Sequence, residues 1–164
     1  MSKILVVSTG WTIDKVYGTG KGSYDFEIWE PAVKRILANL RLNYEVEIYP
    51  LLKKDSLDMN NEDREKIKKF IESRKEKNII IFHWTDTMID TAKVLQNIKD
   101  KTIVLFWSSL PEIFKNTDAH FNFGFALGVL KTIKEKGVYI CMNWEVFKPD
   151  QVEKCEDGVF RKVL

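Results

Sequence analysis

Five short clusters of hydroxyl, amide and charged side chains stand at or a few residues behind apolar runs in this sequence. They are Ser8-Thr9-Gly10-Trp11-Thr12, Lys54-Asp55-Ser56, His83-Trp84-Thr85-Asp86-Thr87, Trp107-Ser108-Ser109 and Asn143-Trp144-Glu145. Serine and threonine hydroxyls donate and accept, carboxylates accept, and amides do both. Gathered on one edge, these groups suit a small polar ligand. Each cluster also has a structural use. Thr85-Asp86 stands where an N-cap pair would open the next helix, and Thr12 alone is a common turn residue. The stretch Gly18-Thr19-Gly20-Lys21-Gly22-Ser23 departs from the P-loop pattern, because Gly22 follows Lys21 where Ser or Thr is required. A loop is the better reading of it. Cys141, Cys155, His83 and His120 have no metal-ligand spacing, so neither a metal nor a cofactor is expected. Cys141, inside an apolar run, reads as a small core residue.

The elements that must position these groups follow from the apolar pattern. Apolar runs at 3–7, 44–49, 78–82, 102–106 and 138–142 are mostly continuous, as in parallel strands covered on both faces. Between them, 31–40, 61–75, 87–98 and 123–136 carry helical spacing, with Pro31 in a first turn and Gly137 at a stop. The alternation predicts an α/β domain, a doubly wound parallel sheet of about five strands flanked by helices. In such sheets ligands bind outside the carboxyl ends of the strands, where the five clusters fall. The tail from Lys148 is polar and turn-rich, suited to a short hairpin or arm.

A length of 164 residues fits a single domain, 1–164, with a full core. The formal charge of +2 is small and both signs are mixed along the chain, so neither nucleic acid nor a membrane surface is an expected partner. The charge-dense segment 61–77 reads as a solvated helix face. No apolar stretch approaches the ~20 residues that span a bilayer, and the opening run is too short for a signal-peptide core. A cytoplasmic location is the default expectation.

The strings STGWTIDK, DSLDM, FHWTDTMIDTAKVL and GVYICMN, the last followed by VEK, occur together in the order and approximate spacing of the N-terminal domain of bacterial-type L-asparaginases. On these motifs the sequence resembles that family over essentially its whole length. The resemblance implies a flavodoxin- or Rossmann-like three-layer sandwich and hydrolysis of L-asparagine to L-aspartate and ammonia through a threonine nucleophile and an acyl-enzyme. By resemblance Thr12 matches the first catalytic threonine and Tyr24 its tyrosine partner. Thr85 and Asp86 match the second threonine and its aspartate, and Lys154 matches the lysine. Ser56 corresponds to a ligand for the substrate α-carboxylate and Asp86 to one for its α-amino group, with Asp55 and Ser108 beside the substrate. The residue types are coherent with that chemistry. A threonine hydroxyl attacks only when a neighbour takes its proton. A tyrosine can take it only with a lowered pKa, and a buried lysine can tune a hydroxyl or a water. Backbone N–H groups at the start of the helix behind Thr85 can stabilise the developing oxyanion.

Two features depart from the family pattern. The family's C-terminal domain has no counterpart here, and with it goes the glutamate that a neighbouring subunit contributes. An open-edged site of this kind invites self-association, so a homo-oligomer is expected. The alternative is a non-catalytic module that binds a small molecule or a protein. The second departure is that all five tryptophans stand where the family usually has glycine. Trp11 takes the second glycine of STGGTI, Trp84 the glycine of HGTDT and Trp107 that of a TGA turn. Trp144 follows MN, and Trp29 precedes the first helix. Glycine at such places serves tight turns and close backbone approach. A residue with a Cβ in left-handed geometry is strained by roughly 1–2 kcal/mol, and the indole must also be housed. One account of the pattern is genetic: UGA is read as glycine in some bacterial lineages and as tryptophan in others. Deliberate engineering and a naturally repurposed pocket are the rival accounts.

Overall fold

The computed structural model describes residues 3–9, 12–17, 26–28, 30–52, 54 and 58–163, with Thr12, Tyr17 and 26–28 described by backbone alone. Ten strands and four α-helices are present among them: β1 (Ile4–Ser8), β2 (Lys15–Tyr17), β3 (Phe26–Ile28), α1 (Val33–Ala38), β4 (Val46–Pro50), α2 (Asn61–Ser73), β5 (Asn78–Phe82), α3 (Thr85–Leu95), β6 (Thr102–Phe106), α4 (Ala119–Thr132), β7 (Gly137–Met142), β8 (Glu145–Phe147), β9 (Val152–Lys154) and β10 (Phe160–Lys162). A 3-10 turn, Thr12–Asp14, follows β1.

The main sheet has the order β4-β1-β5-β6-β7-β8. Its first five strands are parallel and β8 returns antiparallel to β7. The expected sheet of about five strands is therefore present, with one short antiparallel strand added at its edge. β2 pairs with β3, and β9 with β10, in two separate antiparallel ribbons. The second ribbon is the hairpin expected of the tail. The parallel order is that of a doubly wound sheet whose winding reverses between β1 and β5, so the crevice at their carboxyl ends is the place for a ligand.

Continuous apolar strands work because both faces are covered. Leu5, Val7, Ile79, Ile81, Ile103, Leu105, Val138 and Ile140 point into one core with α2, α3, Phe147, Val152 and Phe160. Their alternate neighbours Ile4, Val6, Ile80, Phe82, Val104, Phe106, Tyr139 and Cys141 point into the other, with α1 and α4. On the second face Phe82, Phe106 and Phe123 form a triangle with ring centroids 4.3 to 5.8 Å apart. The two-sided burial gives the three-layer α/β/α sandwich, and Cys141 is a fully buried part of it.

Helix ends differ from the pattern for local reasons. α2 begins where expected because Asn60 and Asp63 form a reciprocal capping box. α3 starts at Thr85, two residues before the expected position, with Trp84 as its N-cap and no side-chain cap bond. α4 starts at Ala119, four residues early. Its first turn is anchored by buried Asn122, which donates to Asp118 at 2.9 Å and to the Trp107 carbonyl at 3.0 Å. A polar residue doing core duty breaks the apolar periodicity there. No described helix is long and apolar enough to cross a membrane.

Candidate active site

The site grows from the carboxyl ends of β1 and β5. Thr9, fully buried, donates its hydroxyl to the Phe82 carbonyl at 2.8 Å and so ties the two strand ends across the reversal point. The 3-10 turn that carries Thr12 is fixed from its far side by Asp14. One carboxylate oxygen accepts the Ser8 hydroxyl at 2.5 Å and the other accepts the Ala32 N–H at 2.6 Å. Asp14 thus joins β1, the turn and the start of α1. Burial raises its carboxyl above the ordinary range, against the lowering effect of the two hydrogen bonds. The side chain of Thr12 lies outside the described residues, as do Gly10 and Trp11.

β5 runs through His83 and Trp84 into α3. Thr85 and Asp86 occupy the first turn of that helix, and Lys154 reaches them from the end of β9, which packs against α3. The Lys154 ammonium donates to Thr85 Oγ1 at 2.9 Å and to Asp86 Oδ1 in a closer ion pair. The other Asp86 oxygen accepts the indole N–H of Trp84. Thr85 is buried, while Lys154 is partly rather than fully buried, its side chain 26 % exposed. The Lys154 hydrogen bond holds the Asp86 carboxyl below its usual range, and the Trp84 N–H adds to the effect. The result is an ionised carboxylate at a helix N-terminus, where the dipole also favours negative charge, beside a hydroxyl whose oxygen accepts from an ammonium. Such a trio can bind a cationic amino group and can orient a threonine or a water.

His83 is buried beneath this edge. Its Nδ1 lies 2.8 Å from the Trp84 carbonyl and its Nε2 3.2 Å from Met59 Sδ. Burial pushes its imidazole down to about 4, with the nearby Arg64 cation adding to the effect. The loop behind β6 completes the edge. Ser108 is fully buried and donates its hydroxyl to the Leu110 carbonyl at 2.9 Å. Asp118 accepts the Ser109 N–H at 2.8 and 2.9 Å and the Leu110 N–H at 3.2 Å. Trp107 packs edge-on against Trp84, with centroids 5.2 Å apart and planes at 79°. Among the described residues no group of His, Cys, Asp and Glu is placed to hold a metal ion.

Of the residues singled out in the sequence, the structure brings together Thr85, Asp86 and Lys154, with Ser108 behind the next strand of the sheet. Tyr24, Asp55, Ser56 and Trp29 lie outside the described residues. Lys54, just before Asp55, donates to both oxygens of Asp63 at 2.8 and 2.9 Å. The supporting carboxylates Asp14 and Asp118 were not singled out in the sequence. Asp118 has a visible signal, an acid directly before an apolar helical run, and its oxygens serve the preceding loop and Asn122. Asp14 stands inside the string STGWTIDK, but nothing in its residue type marks it as the buried tie between β1 and α1.

The family described as Asparaginase, N-terminal, matches residues 3–161 of this chain. Solved structures similar in fold include the thermostable L-asparaginase of Thermococcus kodakarensis, at a TM-score of 0.84 and 23 % identity over 98 % of this chain and 51 % of that one. L-asparaginase I of Vibrio cholerae gives 0.81 and 23 % over 98 % and 51 %. A probable cytoplasmic L-asparaginase of Campylobacter jejuni gives 0.79 and 20 % over 99 % and 52 %. The chain spans about half the length of these structures. No curated protein sequence matches it.

Proposed function

The chain belongs to the asparaginase family, and from that premise we propose that it carries the catalytic half of an amidohydrolase that converts L-asparagine to L-aspartate and ammonia. The observation that supports this reading is the convergence of Lys154 on Thr85 and Asp86 at the N-terminus of α3. In the proposed reaction the Thr12 oxygen attacks the side-chain amide carbon and its proton passes to a neighbour, for which Tyr24 is the candidate. The tetrahedral oxyanion collapses and the C–N bond breaks. Protonated nitrogen leaves as ammonia and an ester to Thr12 remains. Water then attacks the ester carbon, its proton is relayed through the Thr85 hydroxyl that Lys154 orients to the Thr12 oxygen, and the ester C–O bond breaks to release aspartate and the threonine hydroxyl. Asp86 takes the substrate α-amino group. Ser56 holds the α-carboxylate, and Asp55 and Ser108 are the remaining substrate-binding candidates. An oxyanion donor of the kind a helix N-terminus supplies lowers the barrier by about 2.7–4 kcal/mol. A homo-oligomer in the cytoplasm is part of the same proposal.

A second reading has one observation in its favour. The Trp84 indole occupies an oxygen of Asp86 that the substrate amino group would need. On that reading the chain is a binding module with an indole-lined cleft. Ammonia release from L-asparagine separates the two. The comparison runs between the chain, a version with Trp11, Trp29, Trp84, Trp107 and Trp144 all changed to Gly, and that version with Thr12→Ala. Release that appears with the glycines and disappears with Thr12→Ala supports the amidohydrolase. Silence in every form sinks it, and a rise in unfolding temperature with asparagine would then favour the binding module.

A further inference from the structure

β7 and β8 are joined by two residues only. Met142 pairs with Glu145, so Asn143 and Trp144 make the whole turn, and their φ angles are +47° and +63°. Two successive positive φ angles in a two-residue hairpin define the type I′ turn, whose twist suits the flanking strands. Its preferred filling is Asn then Gly. Asparagine tolerates the left-handed region, and glycine has no Cβ to press on the following carbonyl. Here the first position has its preferred residue and the second has an indole. Asn143 and Trp144 are the only non-glycine residues with positive φ among those described. The tail hairpin between β9 and β10 shows the ordinary solution, with Gly158 at φ +79°. Nor does packing explain Trp144. Its side chain is 73 % exposed and meets Phe121 edge-on at 6.0 Å.

The other two described tryptophans are also misplaced, each in a different way. The Trp107 indole nitrogen is buried with no hydrogen-bond partner among the described residues, an arrangement native proteins avoid. Trp84 is the N-cap of α3 yet offers no side-chain cap, and its N–H occupies a carboxylate oxygen of the site. Trp84 and Trp107 are half-buried against the first core, Trp144 is exposed, and none of the three is fully buried. They share one location instead, within two residues of the carboxyl ends of β5, β6 and β7. The chain also has 8 glycines in 164 residues, below the ordinary share of about 7 %, and three more would restore that share.

We infer that positions 84, 107 and 144 are glycine in the polypeptide made by the source organism, encoded by UGA read as glycine, and that the edge bearing Thr85, Asp86 and Lys154 is open there. With glycine at 84 the Asp86 oxygen is released for an amino group. With glycine at 107 the orphaned indole N–H disappears, and with glycine at 144 the turn takes its preferred Asn-Gly form. The statement about residue identity stands on the positive φ at 144, the orphaned indole N–H at 107 and the occupied Asp86 oxygen at 84. Only its consequence for substrate rests on the asparaginase reading.

Two measurements test it, and neither uses ammonia release, so its failure and that of the enzyme reading are separate events. The first is peptide mass spectrometry of the protein purified from its source, with the codons read alongside. Glycine at 84, 107 and 144 with UGA codons is the expected result, and tryptophan or a UGG codon at any of the three overturns it. The second compares Trp144→Gly with Trp144→Ala by thermal unfolding. Both remove the indole, but alanine keeps the Cβ. The glycine variant is expected to melt about 2–8 °C above the alanine variant. An alanine variant that melts as high would overturn the turn argument on which the inference stands.

Discussion

Acidification is expected to destabilise this domain through one residue, His83, well before most carboxylates titrate. The ring is 1 % exposed, beside Met59, the Trp84 carbonyl and the Arg64 cation. Burial moves its folded value from 6.5 down to about 4. Above pH 6.5 the imidazole is neutral in both the folded and the unfolded chain and contributes no pH dependence. Below 6.5 the unfolded chain takes up a proton that the folded chain refuses, so stability falls as pH falls and levels off below about 4. Across that window the slope approaches about 1.4 kcal/mol per pH unit and the total about 3 kcal/mol. A domain of this size has about 5–15 kcal/mol in all, so the effect is large. Asp14 works in the opposite sense. Its raised carboxyl value adds stability at low pH that is lost as pH rises through the carboxylate range. Urea midpoints at half-unit steps from pH 7.5 to pH 4.5, for the chain and for His83→Gln, isolate the histidine because every other group cancels in the difference. The chain is expected to lose stability between pH 6.5 and 5 while His83→Gln stays nearly flat there. Parallel curves for the two would refute the reasoning.

Further expectations follow from the same contacts. Lys154→Met removes the ammonium from Thr85 and Asp86, a pair that reaches solvent at one end. Stability measured in urea should fall by no more than about 1 kcal/mol, while turnover of the five-glycine version falls by about 10²-fold or more if the pair handles the proton of the attacking water. Asp14→Ala removes the acceptor of the Ala32 N–H and one partner of the buried Ser8 hydroxyl. It should lower the unfolding free energy by about 2–4 kcal/mol, and Asp14→Asn, which keeps an acceptor, by less. Burial pushes the Cys141 thiol up to about 12, whereas Cys155 is partly exposed. A colorimetric thiol reagent at pH 8 should therefore count one reactive thiol in the folded chain and two in urea.

The fold was largely legible because its five parallel strands are apolar on both faces and each is followed by helical spacing. β5 and β6 fall at the expected residues, and the two cores separate by simple alternation along each strand. β8 was not legible. Its three residues, Glu145 to Phe147, have no pattern of their own and become a strand because a two-residue turn places them against β7. The early start of α4 was hidden for a related reason. Asn122 is buried for its hydrogen bonds to Asp118 and the Trp107 carbonyl, which apolar periodicity does not register.

The site was legible as a set of residue types but not as an arrangement, and Thr85-Asp86 shows why. Hydroxyl and carboxylate before a helix are ordinarily caps, and spacing alone favours that use. A cap requires the side-chain oxygen to accept an N–H of its own helix from the residue just outside it. Here that outside residue is Trp84, and Thr85 and Asp86 are already inside the first turn. Their oxygens accept instead from Lys154, which enters on β9 after β6 to β8 have intervened. A helix that needed only an end would have no use for a lysine from so far along the chain. The ammonium engages the Thr85 oxygen as an acceptor and so leaves the hydroxyl its capacity to donate. The same Asp86 that could have served as a local cap thus holds a charge at the reversal point of the sheet, where the fold places ligands.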